Sequence, residues 1–326
     1  MPVRNAEPWL GDCLESVIHQ RFSDWELVAV DDGSTDDSGQ ILRHFAKAET
    51  RIQVYRNPGQ GIIPALQKAY QQARGLLITR MDADDLMPPD KLYDLYQTWQ
   101  NVGPGHLITG LVQYFPEDEI QDGYRRYADW LNRNNLSGNP FQQIYRECVI
   151  PSPCWLVHRN DLDRVGAFSP DTYPEDYDLV FRFYQAGLQP ITVPKILHWW
   201  RDHPRRSSRT LEQYAANAYF DLKVSWFLRL DRQQNRTLVL WGAGRKGKAL
   251  ARLFQEAEHP FFWVCNQPKK WGHDIYGVVM HPPDWLFDLN NPQVVIGVSG
   301  PNDQNHIFRQ LMAAGFQEGQ DFYFFV

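Results

Sequence analysis

Over the first hundred positions, apolar residues recur at two alternating spacings. Trp9, Leu10, Cys13, Leu14, Val17 and Ile18 repeat at three and four residues, the spacing of one helix face, with Asn5 placed to cap that helix and Pro8 in its first turn. Residues 27–30 form a short unbroken apolar run, as a buried strand would. It leads into the polar turn Asp31-Asp32-Gly33-Ser34-Thr35-Asp36-Asp37-Ser38, which opens a second helix reaching Phe45. Residues 52–55 predict the next strand, 57–61 a loop, and 64–73 a helix closed by Gly75. Residues 76–79 then predict a strand that runs into Asp82-Ala83-Asp84-Asp85, after which Pro88-Pro89 introduces another helix. Strands separated by helices imply a parallel sheet, whose ligands bind beyond the carboxyl ends of the strands. Both acidic clusters stand at such ends.

The alternation loosens between residues 106 and 193. A strand at 107–114, a polar stretch at 132–139 and a helix at 177–185 closed by Gly187 stand out there. The aromatic and basic segment Trp199–Arg206 precedes a helix expected at 211–230, and 231–236 reads as a linker. The rhythm then restarts with strand 237–241, a glycine turn, helix 246–257, strands 261–265 and 294–298, helix 303–314 and strand 322–326. The expected organisation is therefore an α/β domain over 1–230 and a second, small Rossmann-like α/β domain over 237–326.

Composition narrows the classes. A chain of 326 residues with 43% hydrophobic and 22% charged residues can bury two cores, which excludes a disulfide scaffold and general disorder. With 33 basic against 39 acidic residues, the net charge of -6 offers no global attraction to nucleic acid or anionic lipid. The apolar runs fall far short of a membrane span, and no charged-then-apolar leader opens the chain. A cytoplasmic protein is expected, with peripheral association at the inner membrane face as the closest approach to lipid. Cys13, Cys148, Cys154 and Cys265 are scattered and read as free thiols, Cys154 being the one near a candidate site.

Asp82, Asp84 and Asp85 offer hard oxygen ligands suited to Mg²⁺ or Mn²⁺, too few for an all-protein cage, so phosphates would complete the shell. Asp31 and Asp32, beside Gly33 and Ser34, could accept hydrogen bonds from a nucleobase N–H such as that of uracil. Each cluster also has an ordinary reading, as a turn with a helix cap and as a solvated acidic run.

Taken together, Pro2-Val3-Arg4-Asn5, Asp31-Asp32-Gly33-Ser34-Thr35-Asp36 and Arg80-Met81-Asp82-Ala83-Asp84-Asp85 resemble the family 2 glycosyltransferases of the GT-A fold, over roughly residues 1–210. The resemblance implies a mostly parallel, nucleotide-sugar-binding sheet flanked by helices. It also implies inverting transfer of a sugar from a nucleotide-diphosphate donor, of which a UDP-sugar is the first choice, to a hydroxyl of a glycan or lipid-linked acceptor. Residue by residue, it assigns the nucleotide to Pro2, Val3, Asn5, Glu7, Asp31, Asp32, Gly33, Ser34, Arg80 and Asp82. Asp84, Asp82 and His203 would bind Mn²⁺ or Mg²⁺, and Arg201, Arg205 and Arg206 could face the diphosphate. Tyr173-Pro174-Glu175-Asp176 is similar to the segment carrying the general base, with Asp176 first and Glu175 second. The loop Ser152-Pro153-Cys154-Trp155 corresponds to one that shapes the sugar pockets. Relatives carry apolar residues ahead of the Pro-Val-x-Asn segment, so Met1 falls inside the expected first strand and a start upstream is expected.

In the second domain, Gly242, Gly244 and Gly247 set a GxGxxG turn between strand and helix, a candidate phosphate cradle. Asn266 and Gln267 stand where a ribose-binding acid would, which disfavours NAD(P), and the glycines read equally as helix-packing residues. The competing functions are an NAD-dependent sugar oxidoreductase centred on this turn and a non-catalytic nucleotide-sugar-binding protein.

Overall fold

A computed structural model of the chain describes residues 1–116, 120, 122–206 and 219–326. It divides into two compact units, Met1–Pro140 with Val149–Thr210, and Phe141–Cys148 with Leu211–Val326. The division falls near residue 210, so the helix ahead of 231 belongs with the C-terminal unit.

In the first unit the chain runs β1 (Pro2–Val3), α1 (Glu7–Ile18), β2 (Leu27–Asp31), α2 (Ser38–Ala48), β3 (Ile52–Arg56), α3 (Ile62–Gln72), β4 (Leu77–Thr79) and α4 (Lys91–Val102). It continues through β5 (His106–Phe115), α5 (Asp122–Leu136), β6 (Trp155–His158), α6 (Arg159–Arg164), α7 (Glu175–Gln185) and β7 (Gln189–Arg201). The strands β1, β2 and β3 pair in parallel. β2 is unbroken in its apolar character because both faces are covered: Leu27 and Ala29 pack with Leu10, Leu14 and Val17 of α1, while Val28 and Val30 pack with Ala65 and Ala69 of α3. β1 has only two residues, and the Met1 ammonium and carbonyl continue its ladder to Val28 and Val30.

The remaining strands form a mixed sheet in the order β4-β6-β5-β7, with β6 antiparallel to both neighbours and β5 parallel to β7. The pattern did not announce α5, β6 or β7. α5 is mostly polar, and its asparagines bond backbone: Asn132 donates to the Val112 carbonyl and accepts the Val112 N–H, both at 2.9 Å, while Asn135 donates to Leu131 and Val149 carbonyls. β7 is interrupted by Pro190 and Pro194, and its register against β5 shifts around Gly110 and Leu111. A Cβ on Gly110 would come within 2.6 Å of Leu197, so glycine is what lets the shifted strand seat there. The shift sets which way His198 and Arg201 point.

The second unit contains α8 (Tyr219–Leu230), β8 (Thr237–Trp241), α9 (Arg245–Glu256), β9 (Phe262–Val264), β10 (Asp274–Ile275), β11 (Val278–His281), β12 (Pro292–Ile296), α10 (Pro301–Ala313) and β13 (Phe322–Phe324). Positions 211–218 of the expected helix lie outside the described residues. The sheet order β10-β11-β9-β8-β12-β13 is parallel except for the β10–β11 pair. Beside an aliphatic core this unit carries an aromatic cluster. Tyr145, from the 141–148 segment, stacks on Phe325 and meets Phe227 and Tyr323 edge-on. Residues 231–236, expected as a linker, are tied down: Asp231 accepts the Tyr145 hydroxyl, and the buried Arg236 bonds the carbonyls of Pro292 and Gln320.

Candidate active site

At the amino end of α1 no side chain of its own N-cap, Ala6, is available. Asn5 does not cap this helix. Its backbone is left-handed, at φ 50°, and its side chain accepts the Thr35 N–H at 2.8 Å. The first turn is capped from the β2–α2 turn, with the Ala6 N–H on Ser38 Oγ and the Glu7 N–H on Asp36. Glu7 returns a bond to the Asp37 N–H, and Ser34 Oγ accepts the Asn5 N–H. Asn5, Glu7 and Ser34 thus lock two strand-end turns together. Asp31 Oδ1 accepts the Ser34 N–H at 2.9 Å across the turn, with Gly33 at φ 70°. Asp32 is buried: its carboxylate accepts Asn57 Nδ2 at 2.6 Å and the Gly61 N–H at 3.0 Å, and Arg4 stands 3.5 Å away on its outer side.

The chain leaving β4 carries Arg80, whose side chain is 7% exposed and forks between two acids. Its Nε donates to Asp82 and its Nη1 to Glu175, each at 3.0 Å. One guanidinium therefore ties the Asp82–Asp85 turn to the first turn of α7. The neighbouring Asp176 holds the Tyr177 N–H, and burial, with the charge of Glu175 adding, pushes its carboxyl up to about 7. A carboxyl near neutrality can take a proton from a hydroxyl and release it again.

The next residues are gripped by the end of β7. Leu86 and Trp199 exchange backbone hydrogen bonds at 3.0 Å, the Arg201 N–H bonds Asp85, and Arg201 Nε bonds the Asp84 carbonyl at 2.8 Å. Arg201, expected at a diphosphate, holds this turn and reaches Asp12. Arg205 lies over the Trp9 ring. Arg206 stands over Tyr114; burial works against its charge, but Asp85, Tyr114, Asp84 and Asp82 raise its pKa.

His203 stacks on Trp9, with centroids 3.7 Å apart, and sets Nε2 2.9 Å from Asp84 Oδ2. Burial alone would raise the Asp84 carboxyl, yet the His203 bond and the Arg206 charge bring it below its ordinary value. Two donors on adjacent corners of an octahedral ion with bonds of about 2.1 Å lie about 3 Å apart, so this pair fits a divalent cation. Among the described residues His203 Nδ1 is buried without a hydrogen-bond partner, which leaves the ring's tautomer to follow what Nε2 meets. Asp82 turns instead to Arg80. Among the described residues no group of three His, Cys, Asp or Glu side chains could hold a metal, so phosphate oxygens or water would complete the shell.

Beneath the turn lies a line of fully buried polar groups that the sequence did not reveal as a set. Asp85 Oδ2 meets His198 Nε2 at 2.9 Å, His198 Nδ1 meets Lys91 Nζ at 3.0 Å, and Lys91 donates to the Pro153 carbonyl at 2.6 Å. Burial, then Lys91 and Arg206, holds His198 well below the ordinary imidazole value. Burial pushes the Cys154 thiol up, which makes it a poor nucleophile.

In the second unit, a Cβ on Gly247 would collide with the Gly242 carbonyl, and one on Gly242 would come within 2.9 Å of Val298. Close packing of α9 on the sheet accounts for both glycines. Gly244 is open and starts α9 with no side-chain cap. Asn266 accepts the Trp241 indole N–H at 2.8 Å.

The profile described as glycosyl transferase family 2 matches residues 1–166. The chain is similar to a putative glycosyltransferase, EpsH, of Bacillus subtilis, at 34% identity over 62% of this chain and 59% of that protein. The matched stretch spans about a quarter of the length of several curated relatives. Among solved structures it is similar to S. aureus TarS 1–349, with a TM-score of 0.53 at 17% identity over 72% of this chain and 65% of that one. It is also similar to the mannosyltransferase PcManGT of Pyrobaculum calidifontis in complex with GDP-Man and Mn²⁺, with a TM-score of 0.52 at 19% identity over 70% and 61%. At such identities the likeness shows the fold, a mixed α/β sheet flanked by helices of the GT-A kind. No helix among the described residues is long and apolar enough to cross a membrane.

Proposed function

Because the chain belongs to glycosyl transferase family 2, we propose that its first unit moves a sugar from a nucleotide-diphosphate donor to a hydroxyl of a cell-envelope glycan or lipid-linked acceptor, with inversion and with a divalent cation, at the cytoplasmic side. The observation that carries this reading is the Arg80 fork, which ties the phosphate-side acids to the base-side acids through one buried side chain. Asp84 and His203 would hold Mn²⁺ or Mg²⁺; an imidazole beside a carboxylate suits Mn²⁺ the better of the two. When bound, the cation offsets the charge that builds on the departing diphosphate. Asp31 and Asp32 would meet the base and ribose at the end of β2. Asp176 would take the acceptor proton as the new bond forms, its carboxyl made basic by burial and by the charge of Glu175 beside it, while Glu175 itself is held by Arg80.

The test is turnover of UDP-sugars, with GDP-sugars as the second donor set, against Mn²⁺-dependent binding of the nucleotide. Asp176→Asn is expected to abolish transfer and spare binding, whereas Asp84→Asn weakens binding. Equal loss of nucleotide affinity in both variants would contradict this division of labour.

A further inference from the structure

Lys91, His198 and Asp85 are 0%, 0% and 1% exposed, and ion-forming side chains are rarely buried to that degree without a reason beyond packing. Lysine carries only donors, so His198 Nδ1 must accept from Lys91. Nε2 then carries the proton and donates it to Asp85. The line runs in one direction, from Lys91 outward: one donor to His198 and on to Asp85, another to the Pro153 carbonyl. At its two ends stand two different pieces of chain. One is the turn that holds Asp84, and the other is the Ser152–Cys154 loop ahead of β6. β6 pairs antiparallel with β4 through Thr79 and Leu156, so that loop runs alongside the chain leaving β4 for Asp82.

We propose that Lys91 and His198 are positioning residues of this site, joining the Asp84–Asp85 turn to the Ser152–Cys154 loop through their hydrogen bonds so that the two hold one geometry. This rests on the reading of the first unit as a transferase. Neither residue touches substrate. His198 acts through Asp85, whose other oxygen fixes the Arg201 N–H, and Arg201 in turn grips the Asp84 carbonyl. Among the described residues the Lys91 side chain reaches the Asp85 carboxylate through His198. A buried line of hydrogen bonds in which each side chain has a partner on either side favours a single arrangement, and removal of an inner member releases both ends.

The experiment compares the wild type with Lys91→Met, His198→Leu and His198→Gln, and with Leu95→Ala as a core control on the same helix. Amide hydrogen exchange is read without ligand, and UDP affinity with and without Mn²⁺. Lys91→Met is expected to speed exchange at the Arg201 amide, two side chains away, and at Cys154, by about tenfold over a control matched for Tm. It should weaken Mn²⁺-dependent UDP binding by a similar factor. His198→Leu does the same. His198→Gln, whose amide can both donate to Asp85 and accept from Lys91, stays near the wild type; if Lys91→Met does not fold, this Gln and Leu pair decides. Exchange in Lys91→Met that quickens only at Cys154, or a Gln variant no better than Leu, overturns the proposal. Should the wild type bind no nucleotide with Mn²⁺, the transferase reading falls while the exchange comparison still decides the coupling.

Discussion

Asp176 carries an opposition between stability and activity. Its carboxyl, ordinarily near 3.8, is raised to about 7, so the folded chain binds more protons than the unfolded chain between those values and loses stability as pH rises through them. Asp176→Asn removes that cost. A Tm series from pH 4 to pH 8 should show the variant converging with the wild type at the acid end and exceeding it at pH 8. As the proposed base, the same carboxyl would set the acid limb of turnover, so kcat/KM should rise toward an apparent pKa near 7, and the variant should lose about 10²–10⁴-fold in kcat. Arg80 and Glu175 differ in kind, since each is buried and each is the other's partner. Arg80→Met, which removes the buried guanidinium shared by Asp82 and Glu175, is expected to cost about 3–5 kcal/mol in denaturant unfolding. The residue types of this site were legible, because Asp32, Asp82, Asp84 and Asp176 stand at strand ends and at a helix start. Their partners were not: His198 lies 113 positions from Asp85, and nothing local in Leu197-His198-Trp199 marks it as buried beside an acid.

At the scale of elements, the β/α alternation of the first eighty residues could be read because β2 is covered on both faces and each helix on one. The reading failed where tertiary structure overrides pattern. β7 keeps its place despite two prolines because β5 pairs with it on both sides of the register shift, and α5 adds to its short apolar face of Tyr124, Ala128 and Leu131 asparagines that serve backbone groups. Two glycines carry disproportionate weight. Gly110→Ala would push Leu197 and the end of β7 out of register, with a cost of about 1–3 kcal/mol from overpacking and a weakened nucleotide site. Gly247→Ala, facing the Gly242 carbonyl, should destabilise the second unit by at least as much; thermal unfolding of each variant measures it.

At the scale of the whole molecule, the two units are not cut where the sequence rhythm suggests. The second unit draws Tyr145 from within the first unit's sequence and packs it with Phe227, Tyr323 and Phe325. A truncation at Arg236 therefore removes Tyr323 and Phe325 from that cluster and strips cover from Tyr145 and Phe227. Such a truncation is expected to aggregate or to show a lowered Tm, which size exclusion and calorimetry would detect. The glycine turn of the second unit follows from the close approach of α9 to the sheet, so its GxGxxG pattern does not by itself call for a dinucleotide.

In the proposed function the first unit binds a nucleoside diphosphate through a cation held at Asp84 and His203. Calorimetric titration of UDP into the full chain, with and without Mn²⁺, in the wild type and in Asp84→Asn, tests it most directly. Binding that needs Mn²⁺ and falls by about tenfold or more in the variant is the predicted result. UDP affinity indifferent to both Mn²⁺ and Asp84 would contradict it.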